Sequence, residues 1–319
     1  MVTYIVRRLL QAIPILLGVS VIAFIMAYFA PGDPLAAFIN PNVRPEVLER
    51  LREIYGLNRP PHEQYFVWIT SFVQVWNPEA WGISINARRP VMELIFERLP
   101  PTLLLIGTAL GVTVLISIPL GMFAALRQYS LADKIVTTLA TIGYAMPSFL
   151  LGLYLLYIGA VWLRAFPFRG MQEFGTTGDP LDIAWHMVLP VSSLAIQQIA
   201  GWSRYVRAMM LEVMHQDYIR TARAKGLSKP RVNFRHALRN ALIPVVTLLG
   251  LSIPGLLAGA AITEFIFSWP GLGQLGLQAV QNRDYPLVLA FVMMGGTAVV
   301  TGNLIADILY GVVDPRIKY

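Results

Sequence analysis

Residues 217–228 read DYIRTARAKGLS. The stretch is short, basic and rich in small residues, and its helical pattern stops at a glycine. The chain around it is oily, with mostly apolar runs over 187–203 before it and 241–266 after it. Of the 319 residues, 56% are hydrophobic and only 13% are charged. Mean hydropathy is +0.59. Placing a basic segment within such a chain decides the fold.

Working outward, the apolar runs are close to the length an α-helix needs to cross the hydrocarbon of a bilayer. They are continuous rather than alternating, which favours helices over a β-barrel. Six spans are predicted, at about 9–30, 101–125, 135–163, 187–203, 241–266 and 286–309. The fourth is the most polar, carrying Ser192, Ser193, Gln197 and Gln198. Polar residues inside a span usually face other helices or a water-filled cavity. The N-terminus places Arg7 and Arg8 before a long apolar run, read as an uncleaved first span rather than a shorter signal-peptide core. The chain has no cysteine, which excludes disulfides and Cys-based metal sites.

Orientation follows from Lys and Arg in the short loops. One side holds Arg7, Arg8, Arg127, Lys134, the basic run from Arg204 to Arg239, Arg316 and Lys318. The shorter loops of the other side hold Arg169 and Arg283, with Arg164 at a span end. Both termini are therefore expected in the cytoplasm and 31–100 outside. The net charge of +7 fits that asymmetry and does not require nucleic acid.

The external segment is expected to be helical. RPEVLERLREIYGLNRPP places Val47, Leu48, Leu51, Ile54 and Tyr55 near one face, between Pro45 at a start and Gly56 at a stop. RPVMELIFERLPP repeats the style with Val91, Leu94, Ile95 and Leu99. Between them, Trp68, Trp76 and Trp81 are of the kind that often rests at the bilayer surface. Gly107/Gly111 and Gly255/Gly259 have spacings that permit close helix approach. The expected organisation is 1–30 (N-terminal segment and first span), 31–100 (external helical loop) and 101–319 (five-helix core with a cytoplasmic loop at 204–240).

The motifs of catalysis are missing. His62, His186, His215 and His236 fall in separate segments without HExxH spacing, and no clustered metal ligands appear. Glycine is never followed by lysine, so there is no GxxxxGK[ST] phosphate loop, and GxSxG does not occur either. Two acids fall within spans, Glu264 and Asp307, each near an end, which makes a poor proton relay. A chain that can line a path yet carries no engine points to a channel or to one subunit of a larger machine.

The basic loop then has a purpose. SRYVRAMMLEVMHQ continues helically out of the fourth span. Asp217 is a good N-cap and Gly226 a good stop for a short helix, and Ser228 and Pro230 can open the next one. Two turns of helix are marginal alone in water and need something to pack on. Thr221, Ala222 and Ala224 permit close approach, Tyr218 and Ile219 offer apolar anchors, and Arg220, Arg223 and Lys225 offer charge.

RTARAKG, with Thr221 and Ala222 ahead of Gly226, resembles the EAA motif of permease subunits of ABC importers. Arg220 stands where that motif has glutamate, and Ile243-Pro244 falls farther from the glycine than in the general motif. Both departures resemble the dipeptide/oligopeptide/nickel branch, as do VRRLLQAIPILLGVS, PGDP, RPVMELIFERLPPTLLL, AMPSFLLG, TEFIFSWPGLGQL and VVDPRIKY.

The resemblance implies an all-α integral membrane protein of type I ABC importer permease fold, with about six spans and a helical external loop. It implies a coupling helix over Tyr218, Ile219, Arg220, Thr221, Ala222, Arg223, Ala224, Lys225, Gly226 and Leu227, docking on an ATPase. It implies a second related permease, two cytoplasmic ATPase subunits that carry ATP and Mg, and an external solute-binding protein. This chain would then be no enzyme and would hold no cofactor or metal, and it would sit in the inner (plasma) membrane. Peptides are the expected solute. Gln197, Gln198, Glu264 and Asn303 are the polar candidates along a translocation path. The alternative is a secondary transporter or channel working alone.

Overall fold

The computed structural model describes residues 2–29, 35, 44–54, 56–176 and 178–313. PGDP at 31–34, Tyr55, the side chain of Asp307, those at Ile243, Pro244 and around Gly255/Gly259, and residues 314–319 lie outside the described set. Among the described residues the architecture is helical, with a single isolated β-bridge, Ile83 to Pro90.

In chain order the helices are α1 (Val2–Tyr28), α2 (Pro45–Ile54), α3 (Pro61–Phe72), α4 (Val91–Leu126), α5 (Leu131–Ala145) and α6 (Ser148–Leu156). Then come α7 (Pro180–Met214), α8 (Asp217–Ala224), α9 (Lys229–Arg231), α10 (Arg239–Ala241), α11 (Ile243–Ile266), α12 (Leu272–Gln281) and α13 (Tyr285–Val313). A π-helical turn extends α6 over Tyr157–Trp162, and another joins α9 to α10 over Val232–Leu238.

Four helices among the described residues are long and apolar enough to cross a membrane: Val6–Tyr28, Val91–Leu126, Pro180–Met214 and Tyr285–Ile305. The α5–α6 pair makes a fifth if it is counted as one span. The fifth run expected from sequence, 241–266, is helical over Ile243–Ile266. Large apolar side chains stand outward along these helices, including Leu10 at 61%, Met26 at 70% and Leu115 at 74% exposed. Water would penalise that surface and lipid would not.

The third expected span is not one straight helix. It breaks between Ala145 and Ser148, and its two halves are bent by 100°. Pro147 is the cause. It lacks an N–H to continue the helix, and it drives Met146 to an extended ψ of 125°. The second difference lies at Pro100–Pro101, expected to separate an external helix from the second span. One helix of 36 residues runs through the pair. Each proline forfeits one hydrogen bond, and buried residues hold the helix on both sides: Val91 and Ile95 before, Leu105 and Ala109 after.

The chain divides into two compact units. One comprises 102–269 and 302–319 with residue 1, the other 2–101 and 270–301. In the second unit, the core gathers Trp81, Val91, Met92 and Ile95 with Leu272, Ala279, Leu287 and Ala290. Trp81 is 8% exposed, stacks on Phe72 at 4.5 Å and donates its indole N–H to the Phe72 carbonyl at 3.0 Å. It is therefore a core residue and not a surface anchor, whereas Trp76 is 76% exposed. Helix α2 starts at Pro45 and stops at Gly56 (φ +67°), where the Leu57 N–H closes the turn onto Arg52 O at 2.9 Å. Its apolar face is not buried, and Ile54 stands 70% exposed.

Candidate coupling surface

Helix α8 is eight residues long and is clamped at its C-terminal end. Gly226 sits at φ +76°, the left-handed conformation that glycine adopts without a Cβ penalty. The Leu227 N–H reaches back to Ala222 O at 3.3 Å and the Gly226 N–H to Arg223 O at 3.0 Å, a Schellman closure. The N-cap differs from expectation. It is Gln216, with no side-chain cap bond, and Asp217 is the first helical residue. There its charge still faces the positive end of the helix dipole, and its carbonyl accepts from Thr221 Oγ1 at 3.0 Å.

The helix is two-sided. Ile219 (0% exposed) and Ala222 (6%) point into a core built with Trp202, Val206 and Met210 of α7, Val232, Ala237, Ala241 and Val245. Leu227 packs against the same core. Burying a side chain the size of Ile219 contributes roughly 1.5–3 kcal/mol, enough to hold two turns that would not form alone. Ile219 and Ala222 therefore serve this chain's own packing and are not offered to a partner. Tyr218, Arg220, Thr221, Arg223, Ala224, Lys225 and Gly226 are exposed. At 100° per residue, Thr221 and Ala224 lie opposite the buried stripe, with Tyr218 and Lys225 on one flank and Arg220 and Arg223 on the other.

The helices beside α8 are tied together at two points that the sequence did not disclose. Arg207 of α7 grips Asp133 at the start of α5, with Nε to Oδ1 and Nη2 to Oδ2 both at 2.7 Å. Asp133 is 3% exposed and also accepts the Tyr129 N–H at 2.9 Å. Ser130 caps the helix by accepting the Asp133 N–H at 3.2 Å. The second point is Gly121 of α4. A Cβ there would stand 2.6 Å from Ser203 O and 2.7 Å from Val206 Cβ, so glycine alone fits. The GxxxG pair Gly107/Gly111 has nothing within 4 Å of either added Cβ among the described residues.

The four path candidates differ in burial and in their partners. Gln197 is half-buried, and its amide donates to Met146 O at 3.3 Å, satisfying the carbonyl freed at the α5–α6 break. Gln198 is half-buried and Asn303 exposed. Glu264 is 0% exposed and accepts from Thr102 Oγ1 at 2.6 Å, beside the fully buried Trp269. No hydrogen bond joins any two of the four among the described residues.

Residues 117–319 match the family of binding-protein-dependent transport system inner membrane components, and residues 1–106 match the N-terminal region of such membrane components. The chain belongs to that family. It is a multi-pass permease subunit of the ABC importer type, which sets aside a transporter or channel working alone. It is similar to the oligopeptide transport system permease protein AppB of Bacillus subtilis, at 45% identity over 100% of both chains. It is also similar to the dipeptide transport system permease protein DppB of Escherichia coli K12, at 38% identity over 100% of this chain and 99% of that one. The glutathione transport system permease protein GsiC of Shigella flexneri is 36% identical over 100% of both. Among solved structures, the inward-facing MetNI methionine ABC transporter covers 70% of this permease, and 98% of that chain is matched, at a TM-score of 0.55 and 17% identity. That likeness concerns the fold, a type I importer permease.

Proposed function

We propose that this permease forms half of a translocation path for peptides, powered through α8 by ATPase subunits on its cytoplasmic side. The observation that carries the coupling role is the build of α8. It is bonded to its own core by Ile219, Ala222 and Leu227 and exposes a small-residue face at Thr221 and Ala224. A rigid short helix held between longer ones can pass a push from a partner to α7 and α11. The peptide substrate is supported by the relatives, which are named as oligopeptide, dipeptide and glutathione transport system permeases.

On this reading the chain works with a second related permease, two ATPases that bind ATP and Mg, and an external binding protein that delivers the solute. It lies in the inner (plasma) membrane with both termini in the cytoplasm, and it hydrolyses nothing itself. Gln198 and Asn303 are the path candidates with no side-chain hydrogen bond among the described residues. Gln197 and Glu264 act on the path through the helices they hold.

Reconstitution in vesicles tests the proposal. Uptake of a radiolabelled peptide is expected only with the ATPases, ATP and the binding protein all present. Uptake by the permease alone, driven by an ion gradient, would overturn it.

A further inference from the structure

The turn Arg127–Ser130 joins α4, which ends at Leu126, to α5, which begins at Leu131. By length and composition α4 is a candidate span and α5 is the first arm of a bent one, so the four residues between them fall where hydrocarbon gives way to headgroups. Tyr129 (78% exposed) and Leu131 (74%) beside the turn are anchors suited to that depth.

Against this turn lies a cavity of about 510 Å³, closed by the end of α7 and one flank of α8. Arg127, His215, Arg220 and Arg223 line it, no Asp or Glu does, and Leu211 and Met214 supply apolar wall. The positive charge is not neutralised from within. Neither Arg127 nor Arg223 has an ion-pair partner among the described residues. Arg220 Nη1 is 3.5 Å from Asp217 Oδ1, but those side chains are 72% and 95% exposed, so the pair is weak. Asp133, the acid that follows the turn at the start of α5, is held by Arg207. Arg127 rests over the Phe123 ring at 4.7 Å, which occupies the guanidinium face and leaves its in-plane N–H donors for an oxygen ligand. His215 donates Nδ1–H to Leu211 O at 2.7 Å, which fixes the ring and leaves Nε2 unused.

We propose that this cavity binds the phosphate of an acidic phospholipid. Its depth selects a lipid over a soluble anion, and its uncompensated guanidinium groups select a headgroup of net negative charge over a zwitterionic one. The acyl chains run along the exposed stripe of α5, Leu131, Ile135 and Leu139. The site lies on the Arg220–Arg223 flank of α8 and leaves the Thr221–Ala224 face open.

Native mass spectrometry of the purified full chain in detergent tests it, with phosphatidylglycerol and phosphatidylcholine of matched acyl chains as probes. One phosphatidylglycerol should be retained in preference to phosphatidylcholine, and inorganic phosphate should not displace it. Arg127→Gln with Arg223→Gln should lower that retention by on the order of tenfold, from the worth of two basic side chains at a lipid surface. Arg235→Gln with Arg239→Gln, the same loss of charge elsewhere, should leave it unchanged. Equal retention of the two lipids by the wild type, or equal retention by the two double variants, would overturn the proposal. Displacement by inorganic phosphate would also overturn it, by making the site one for the free anion.

Discussion

At Gly226 nothing lies within 4 Å of the position a Cβ would take, so only the backbone, at φ +76°, demands glycine. A side chain there costs about 1–2 kcal/mol of left-handed strain, more for a β-branched one and less for asparagine. Gly226→Val is therefore expected to insert normally yet to lose coupling, read as ATP hydrolysed per peptide taken up. Gly226→Asn should retain most of it. Normal coupling in the valine variant would show that the Schellman closure is dispensable. Asp133 poses a different case. Asp133→Asn should leave Arg207 unpaired and lower unfolding stability by about 3 kcal/mol, and adding Arg207→Gln should restore part of it, a double-mutant cycle read by thermal melting. Gly226 was legible because a stop glycine is a local signal. The Asp133–Arg207 pair was not, because its partners are 74 positions apart and Arg207 reads in sequence as one more positive-inside charge.

Among the elements, α8 shows how local pattern and tertiary packing share the outcome. Its existence and its glycine stop follow from sequence, but which of its small residues faces inward depends on the core of α7 and Val232–Leu238. Ile219→Ala is expected to cost about 2–5 kcal/mol and to free α8 from that core, seen as faster amide exchange over 217–227. Ala224→Trp, on the exposed face, should leave the melting temperature unchanged and block ATPase docking. Docking at wild-type affinity in that variant would remove the face from the interface. Gly121→Val is expected to cost about 1–3 kcal/mol by pushing α4 from α7, again read by melting. That one helix runs through Pro100–Pro101 was not legible in sequence, because the buried residues that hold it, Val91 and Ile95 before and Leu105 and Ala109 after, find their partners only in the fold. Helix α12 was not anticipated, since its ten residues, LGQLGLQAVQ, acquire a buried face only in a core with Trp81, α4 and α13.

For the molecule as a whole, spans and class were legible because hydropathy is set by the bilayer and not by partners. The contacts of the polar span residues were not, since Gln197 bonds Met146 and Glu264 bonds Thr102 across positions far apart in sequence. The break after Ala145 also bears on biogenesis. Helix α5, at 15 residues, reaches only about 22 Å, and neither arm of the 131–162 segment can cross the hydrocarbon unaided. The amide that meets the Met146 carbonyl freed at the break belongs to Gln197, which leaves the ribosome 51 residues later. Partitioning of this segment out of the translocon therefore waits on the arrival of α7, and the nascent chain must shelter a half-inserted elbow until its neighbour is made.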